Sequence, residues 1–175
     1  MAILLRGVNV GGHKRIAMSS LRALLTRLGY SNVSTILASG NAVISTTDDA
    51  ARVERTVRGA LMEELGMSVD IIIRTYDEIE RLVARAPLLE HSDNGSRHFV
   101  AFLAEPAGPN TFVKLDGLKL GHERFDIHGS EFTFWCPLGI TESVVAKRFA
   151  TTAASTVATV RNWNTVEKLR ARLAD

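Results

Sequence analysis

The order of local patterns along the chain constrains its fold most. Residues 2–6 form a short apolar run stopped at Gly7, which reads as a buried strand. Leu21, Leu24, Leu25 and Leu28 then recur at helical spacing, with Ser19 or Ser20 as the expected cap and Gly29 as the stop. Residues 33–37 and 42–46 read as strands around Ala38-Ser39-Gly40-Asn41, a string of residues that tolerate a tight turn. A second helix opens at Thr47, Asp48 and Asp49 and carries Val53, Val57, Ala60, Leu61 and Leu65 on one face up to Gly66. Residues 69–74 close the unit as another strand. The order strand, helix, strand, strand, helix, strand is that of a ferredoxin-like split βαβ unit.

The same order recurs after a connector. Thr75 and Glu78 make a capping box for a helix carrying Ile79, Leu82 and Val83 that Pro87 ends, and the polar residues 90–97 read as a linker. Beyond it come a strand at 98–105, a short helix at 109–116, strands at 122–127 and 131–136 and a helix at 142–150. A strand at 156–160 and a last helix from Asn164 or Thr165, with Val166, Leu169 and Leu173 inward, complete the order. The pattern repeats although the letters do not. The expected fold is α+β, with two ferredoxin-like (βαββαβ) halves: residues 1–75, a linking helix and polar loop at 76–97, and residues 98–175 with the final helix.

Composition removes several function classes. With 175 residues and 46% hydrophobic content the chain supports a packed core, and its net charge of +2, from 21 basic and 19 acidic residues, does not by itself imply a polyanionic partner. The single Cys136 excludes an internal disulfide and suits a reducing cytoplasm; no apolar run is long enough to span a membrane. The histidines at 91, 98, 122 and 128 show no metal-like pairing and are expected mostly at the surface, so no metal site is assigned. Ser19 and Ser20 lack a histidine with an acidic orienter, and no acid-base machinery is visible. The sequence names no cofactor, does not decide whether the protein is an enzyme, and does not set its oligomeric state.

The chemistry concentrates in residues 4–18, LLRGVNVGGHKRIAM. In a ferredoxin-like sheet the first and third strands are antiparallel neighbours. The loop after the first strand therefore meets the hairpin tip Ser39-Gly40-Asn41 and the amino end of the Leu21 helix. Backbone donors, small residues, Lys14 and Arg15 there suit an anion. Nucleotide loops are excluded on spacing: a Walker loop needs Lys directly after its second glycine, where this chain has His13, and the adjacent Gly11 and Gly12 fail the dinucleotide fingerprint. The alternative is that the glycines only permit a tight crossover while Lys14 and Arg15 are solvated. Arg161-Asn162-Trp163-Asn164-Thr165 has two readings as well. One is a ligand grip; the other has Asn162 or Asn164 capping the last helix and Trp163 as a buried anchor.

Taken together, LLRGVNVGGHKRIAM, LRALLTRLGY, ASGNAVI and RNWNTVEKL resemble the uncharacterised bacterial family called domain of unknown function 1697. The resemblance covers most of the chain and implies a two-part α+β fold with ferredoxin-like halves and no established activity. The family's motif positions fall on Arg6, Gly7, Asn9, Gly11, Gly12, Ser39, Gly40, Asn41 and the run from Arg161 to Thr165. This chain departs at His13, where the family usually has Lys, and at Ala38, where it usually has Gln, and both changes reduce the polar character of the site.

The candidate ligand-binding set is therefore Arg6, Gly7, Asn9, Gly11, Gly12, Lys14, Arg15, Ser39, Gly40, Asn41, Arg161 and Asn162. The expected function is a binding module whose loop accepts an anion, either a phosphate-bearing ligand or a nucleic-acid backbone. One alternative is a small phosphate-processing enzyme resembling acylphosphatases, with Asn41 and Arg6 or Arg15 holding water and phosphoryl group. The other is an interaction-only protein that uses a sheet edge.

Overall fold

A computed structural model of the chain describes residues 1–10, 14–108, 111, 112, 115, 117–152 and 156–175. The chain divides into two compact units, Met1–Arg81 with Lys168–Asp175, and Leu82–Glu167. Each contains a four-stranded antiparallel sheet.

In the first unit the elements are β1 (Ala2–Leu5), α1 (Met18–Arg27), β2 (Ser31–Ile36), β3 (Asn41–Ser45), α2 (Ala50–Leu65) and β4 (Ile71–Arg74), and α3 (Tyr76–Arg85) follows. The sheet order is β2-β3-β1-β4. Alternation along the strands aims Ile3, Leu5, Ala42, Ile44, Ile71 and Ile73 at one face, where they share a core with Leu21, Leu24 and Leu25 of α1 and Val53, Val57 and Leu61 of α2. Removing one of these leucines to Ala would cost about 2–5 kcal/mol. Asp49 caps α2 by accepting from the Arg52 N–H at 2.7 Å. The Thr75–Glu78 box is formed, with Glu78 Oε2 accepting from the Thr75 N–H at 2.7 Å and Thr75 Oγ1 from the Glu78 N–H at 3.2 Å.

The second unit contains β5 (His98–Leu103), β6 (Arg124–His128), β7 (Glu131–Trp135), α4 (Val144–Thr152) and β8 (Ala158–Asn162), followed by α5 (Trp163–Ala174). Its order, β6-β7-β5-β8, repeats that of the first sheet. Phe132 and Phe134 pack with Phe112 and Phe149, the rings of Phe132 and Phe149 lying 4.8 Å apart. Both halves thus have the ferredoxin-like strand order, and the fold is a duplicated α+β arrangement.

Three local expectations are corrected. Ser19 and Ser20 do not cap α1; both lie inside it and Ala17 occupies the cap position. The last strand runs two residues later than its Thr-rich letters suggest and takes in Arg161 and Asn162, because pairing with β5 decides where it ends. The last helix starts at Trp163 rather than Asn164 or Thr165. Much of the helix expected at 109–116 lies outside the described residues, which there include the buried Phe112 and Leu115.

Candidate functional site

Strand order fixes the surroundings of the loop after β1. The Leu5 N–H donates to the Gly40 carbonyl at 2.8 Å and the Arg6 N–H to the Asp70 carbonyl at 2.9 Å, so the strand's end is held by the chain entering both neighbouring strands. Gly7 then turns the chain at φ +66° and Val8 is buried.

Asn9 governs the rest of the loop. It sits at φ +56°, a conformation Asn tolerates better than most residues. Its carboxamide donates to the carbonyls of Ile16 at 2.9 Å and Ala38 at 2.6 Å and accepts from the Ile16 N–H at 3.0 Å. The backbone adds a bond from the Asn9 N–H to the Lys14 carbonyl at 3.1 Å. One short side chain thereby closes the loop and ties it to the hairpin turn, which requires two donors and an acceptor on the same group. Gly11 and Gly12, the centre of the expected cradle, lie outside the described residues.

On the hairpin side, Gly40 (φ +77°) is packed so closely that an added Cβ would stand 2.3 Å from Val8 Cγ2 and 2.9 Å from Leu5 Cβ. Asn41 is 0% exposed, and its amide donates to the Ile36 carbonyl at 2.9 Å and to Ser39 Oγ at 3.0 Å. Loop and hairpin tip converge, but the amides of Asn9 and Asn41 hold the backbone together.

The cations are more accessible. Arg6 pairs with Asp70 at 3.2 Å, both side chains roughly half exposed, a geometry in which an ion pair contributes little. Lys14, at φ +51°, donates from Nζ to the Ser68 carbonyl at 2.7 Å, and Arg15 is exposed just before α1. Side chains occupy the amino ends of α2, α3, α4 and α5. Glu123 accepts from the Val144 and Val145 N–H groups of α4, and Asn162 from the Thr165 N–H of α5 at 3.0 Å. Among the described residues α1 receives no side-chain cap and has no acid in its first turn, so its first amides and positive dipole end lack a carboxylate.

Arg161 and Asn162 belong to the second unit. Arg161 is 7% exposed and donates from Nη1 to Thr159 Oγ1 at 2.7 Å and the Val160 carbonyl at 2.8 Å; burial pulls its pKa down to about 10, still protonated at neutral pH. Asn162 is the cap of α5. Trp163 is 5% exposed and lies face to face with His98, ring centroids 4.6 Å apart and planes 1° from parallel.

His98 departs from the surface position expected of the histidines. It is 0% exposed, both ring nitrogens lack a hydrogen-bond partner among the described residues, and burial pushes its pKa down to about 4. The readable signal was its place in HFVAFL: alternation puts residue 98 on the same strand face as Val100 and Phe102. Cys136 is likewise buried, and burial raises its thiol to about 11, so it is no thiolate nucleophile at neutral pH. Among the described residues no group of histidine, cysteine and carboxylates is placed to hold a metal, and no helix is long and apolar enough to cross a membrane.

The family model for a protein of unknown function, DUF1697, matches residues 1–132, which include the whole first unit's sheet, the Asn9 clasp and the hairpin. The chain belongs to this family. The DUF1697 fold seen here is similar to that of the conserved bacterial protein SP0830 from Streptococcus pneumoniae, with a TM-score of 0.80 at 23% identity over 98% of this chain and 97% of that one. No curated protein matches. The likeness to the pneumococcal structure extends through the second unit, beyond the span of the family match.

Proposed function

We propose that this DUF1697 protein is a cytoplasmic binding module that takes an anionic group, carried by a phosphate-bearing ligand or a nucleic-acid backbone, at the loop edge of its first unit. The observation that carries the reading is the amino end of α1, shortly after Lys14 and Arg15 and without a side-chain cap among the described residues, while the other helices have such caps. The Asn9 clasp supports it by pinning the two ends of the loop, at Asn9 and Ile16, to each other and to the hairpin turn. Gly11 and Gly12 would add backbone donors.

The reading is of binding rather than turnover. An acylphosphatase-like step needs an amide at Asn41 to hold water, and that amide donates to Ile36 and Ser39 instead. The test is titration of inorganic phosphate, a nucleoside triphosphate and a short single-stranded oligonucleotide, followed by amide NMR at low and moderate salt. Saturable shifts of Met18, Ser19 and Ser20 that weaken with salt and in Arg15→Glu are expected. Absence of any saturable shift in the folded wild type would make the loop a structural crossover only.

A further inference from the structure

A different feature of the first unit lies along its sheet edge. Among the described residues β3 is the hydrogen-bonded neighbour of β2 and nothing pairs with the strand's other side. The ladder shows which groups face outward. The Leu5 N–H to Gly40 carbonyl and Ile44 N–H to Met1 carbonyl bonds turn alternate residues Gly40, Ala42 and Ile44 toward β1, so Asn41 and Val43 turn toward β2. Their partners Ile36 and Ser34 face inward. Thr35, between them, directs its N–H and carbonyl away from β3.

That outward pair opens on a groove. A cleft of about 390 Å³ is lined by Ser34, Thr35 and Ile36 on the strand and Lys168, Ala171 and Arg172 on α5. Arg172 Nε donates to Ser34 Oγ at 3.0 Å, which holds the helix alongside the edge. A second cleft of about 440 Å³ continues past Arg172 to Asn32 and Val33, where the β2 register shifts. Arg172 is bound by Asp175 at 2.9 Å, which leaves Lys168 as the lining cation without an ion pair among the described residues.

We propose that this groove is a docking site for an extended, acidic peptide segment of a partner protein, which adds to β2 as a fifth strand. Its backbone pairs with Thr35, one apolar side chain rests on Ile36 and Ala171, and a neighbouring carboxylate meets Lys168. A second copy of this chain does not complement the site through the same edge, because β2, SNVSTI, has no acidic residue to meet Lys168.

Selection of a displayed library of random decapeptides on the full chain tests this. Selected peptides are expected to alternate β-branched or apolar residues with Asp or Glu. They should bind Thr35→Ala like wild type, since the backbone is unchanged, and Thr35→Pro at least about tenfold more weakly, since only the outward donor is lost. Lys168→Glu should also weaken them about tenfold, and it decides the matter where circular dichroism shows Thr35→Pro unfolded. The proposal is overturned if no peptide is enriched, if enriched peptides are basic, or if they bind Lys168→Glu or folded Thr35→Pro as well as wild type. Sedimentation showing a dimer that folded Thr35→Pro, or failing that Lys168→Glu, disrupts would overturn it in favour of a second copy.

Discussion

Replacing His98 by Phe should remove an acid-sensitive weakness without harming the fold. The native imidazole is fully buried against Trp163 with no partner for either nitrogen among the described residues, and burial lets it take a proton only near pH 4, whereas in the unfolded chain it does so near 6.5. Between these values the unfolded state binds more protons than the native state, so stability falls as pH falls through the window and this contribution levels off below it. A tenfold change in proton affinity corresponds to about 1.4 kcal/mol, so the shift amounts to about 3 kcal/mol over the window. His98→Phe keeps a flat ring on Trp163 and buries no unbonded nitrogen, and at pH 7.5 its stability should lie within about 1.5 kcal/mol of wild type. Urea unfolding of both proteins at steps from pH 7.5 to 4 cancels the carboxylate titrations they share. The variant should gain about 3 kcal/mol on wild type by pH 4. A flat difference would mean that native His98 protonates as easily as unfolded His98, and the buried, unpartnered position described for it would be wrong.

Gly40→Ala should cost about 2–5 kcal/mol by urea midpoint, combining left-handed backbone strain with overpacking on Leu5 and Val8; Gly7→Ala, equally left-handed but in open space, should cost only about 1–2 kcal/mol, and equal losses would refute the steric argument. Asn9→Ala should lower stability by about 1–3 kcal/mol, and Asn9→Asp at neutral pH by at least as much, since a carboxylate cannot donate to the Ile16 and Ala38 carbonyls; an Asp variant as stable as wild type would remove the clasp. Trp163→Ala should cost about 3–5 kcal/mol while leaving phosphate affinity at the first unit unchanged, and loss of binding without loss of stability would restore the ligand-grip reading of Arg161 to Thr165.

What the sequence by itself determined was local. Helical and strand periods, the acidic start of the second helix, the Thr75–Glu78 box and the repeated order of strands depend on neighbours a few residues apart, and all are present in the fold. The meeting of the β1 loop with the hairpin tip followed from that order, because the ferredoxin-like unit places strand three beside strand one. Only the tertiary structure decided what the residues do there. Asn9 reaches Ala38 across 29 positions, the space beyond Gly40 is filled by Leu5 and Val8, and β8 takes its end from pairing with β5. His98 looked like a surface histidine because its letter is polar, yet its strand face and the ring of Trp163 bury it. Ser19 and Ser20 carried the right chemistry for a cap, but the clasp from Asn9 to Ile16 sets where the chain enters the helix and leaves Ala17 in that place. The period of a pattern lies within a few residues of sequence; the partner of a side chain depends on a contact between distant ones, and that is fixed only when the sheets have formed.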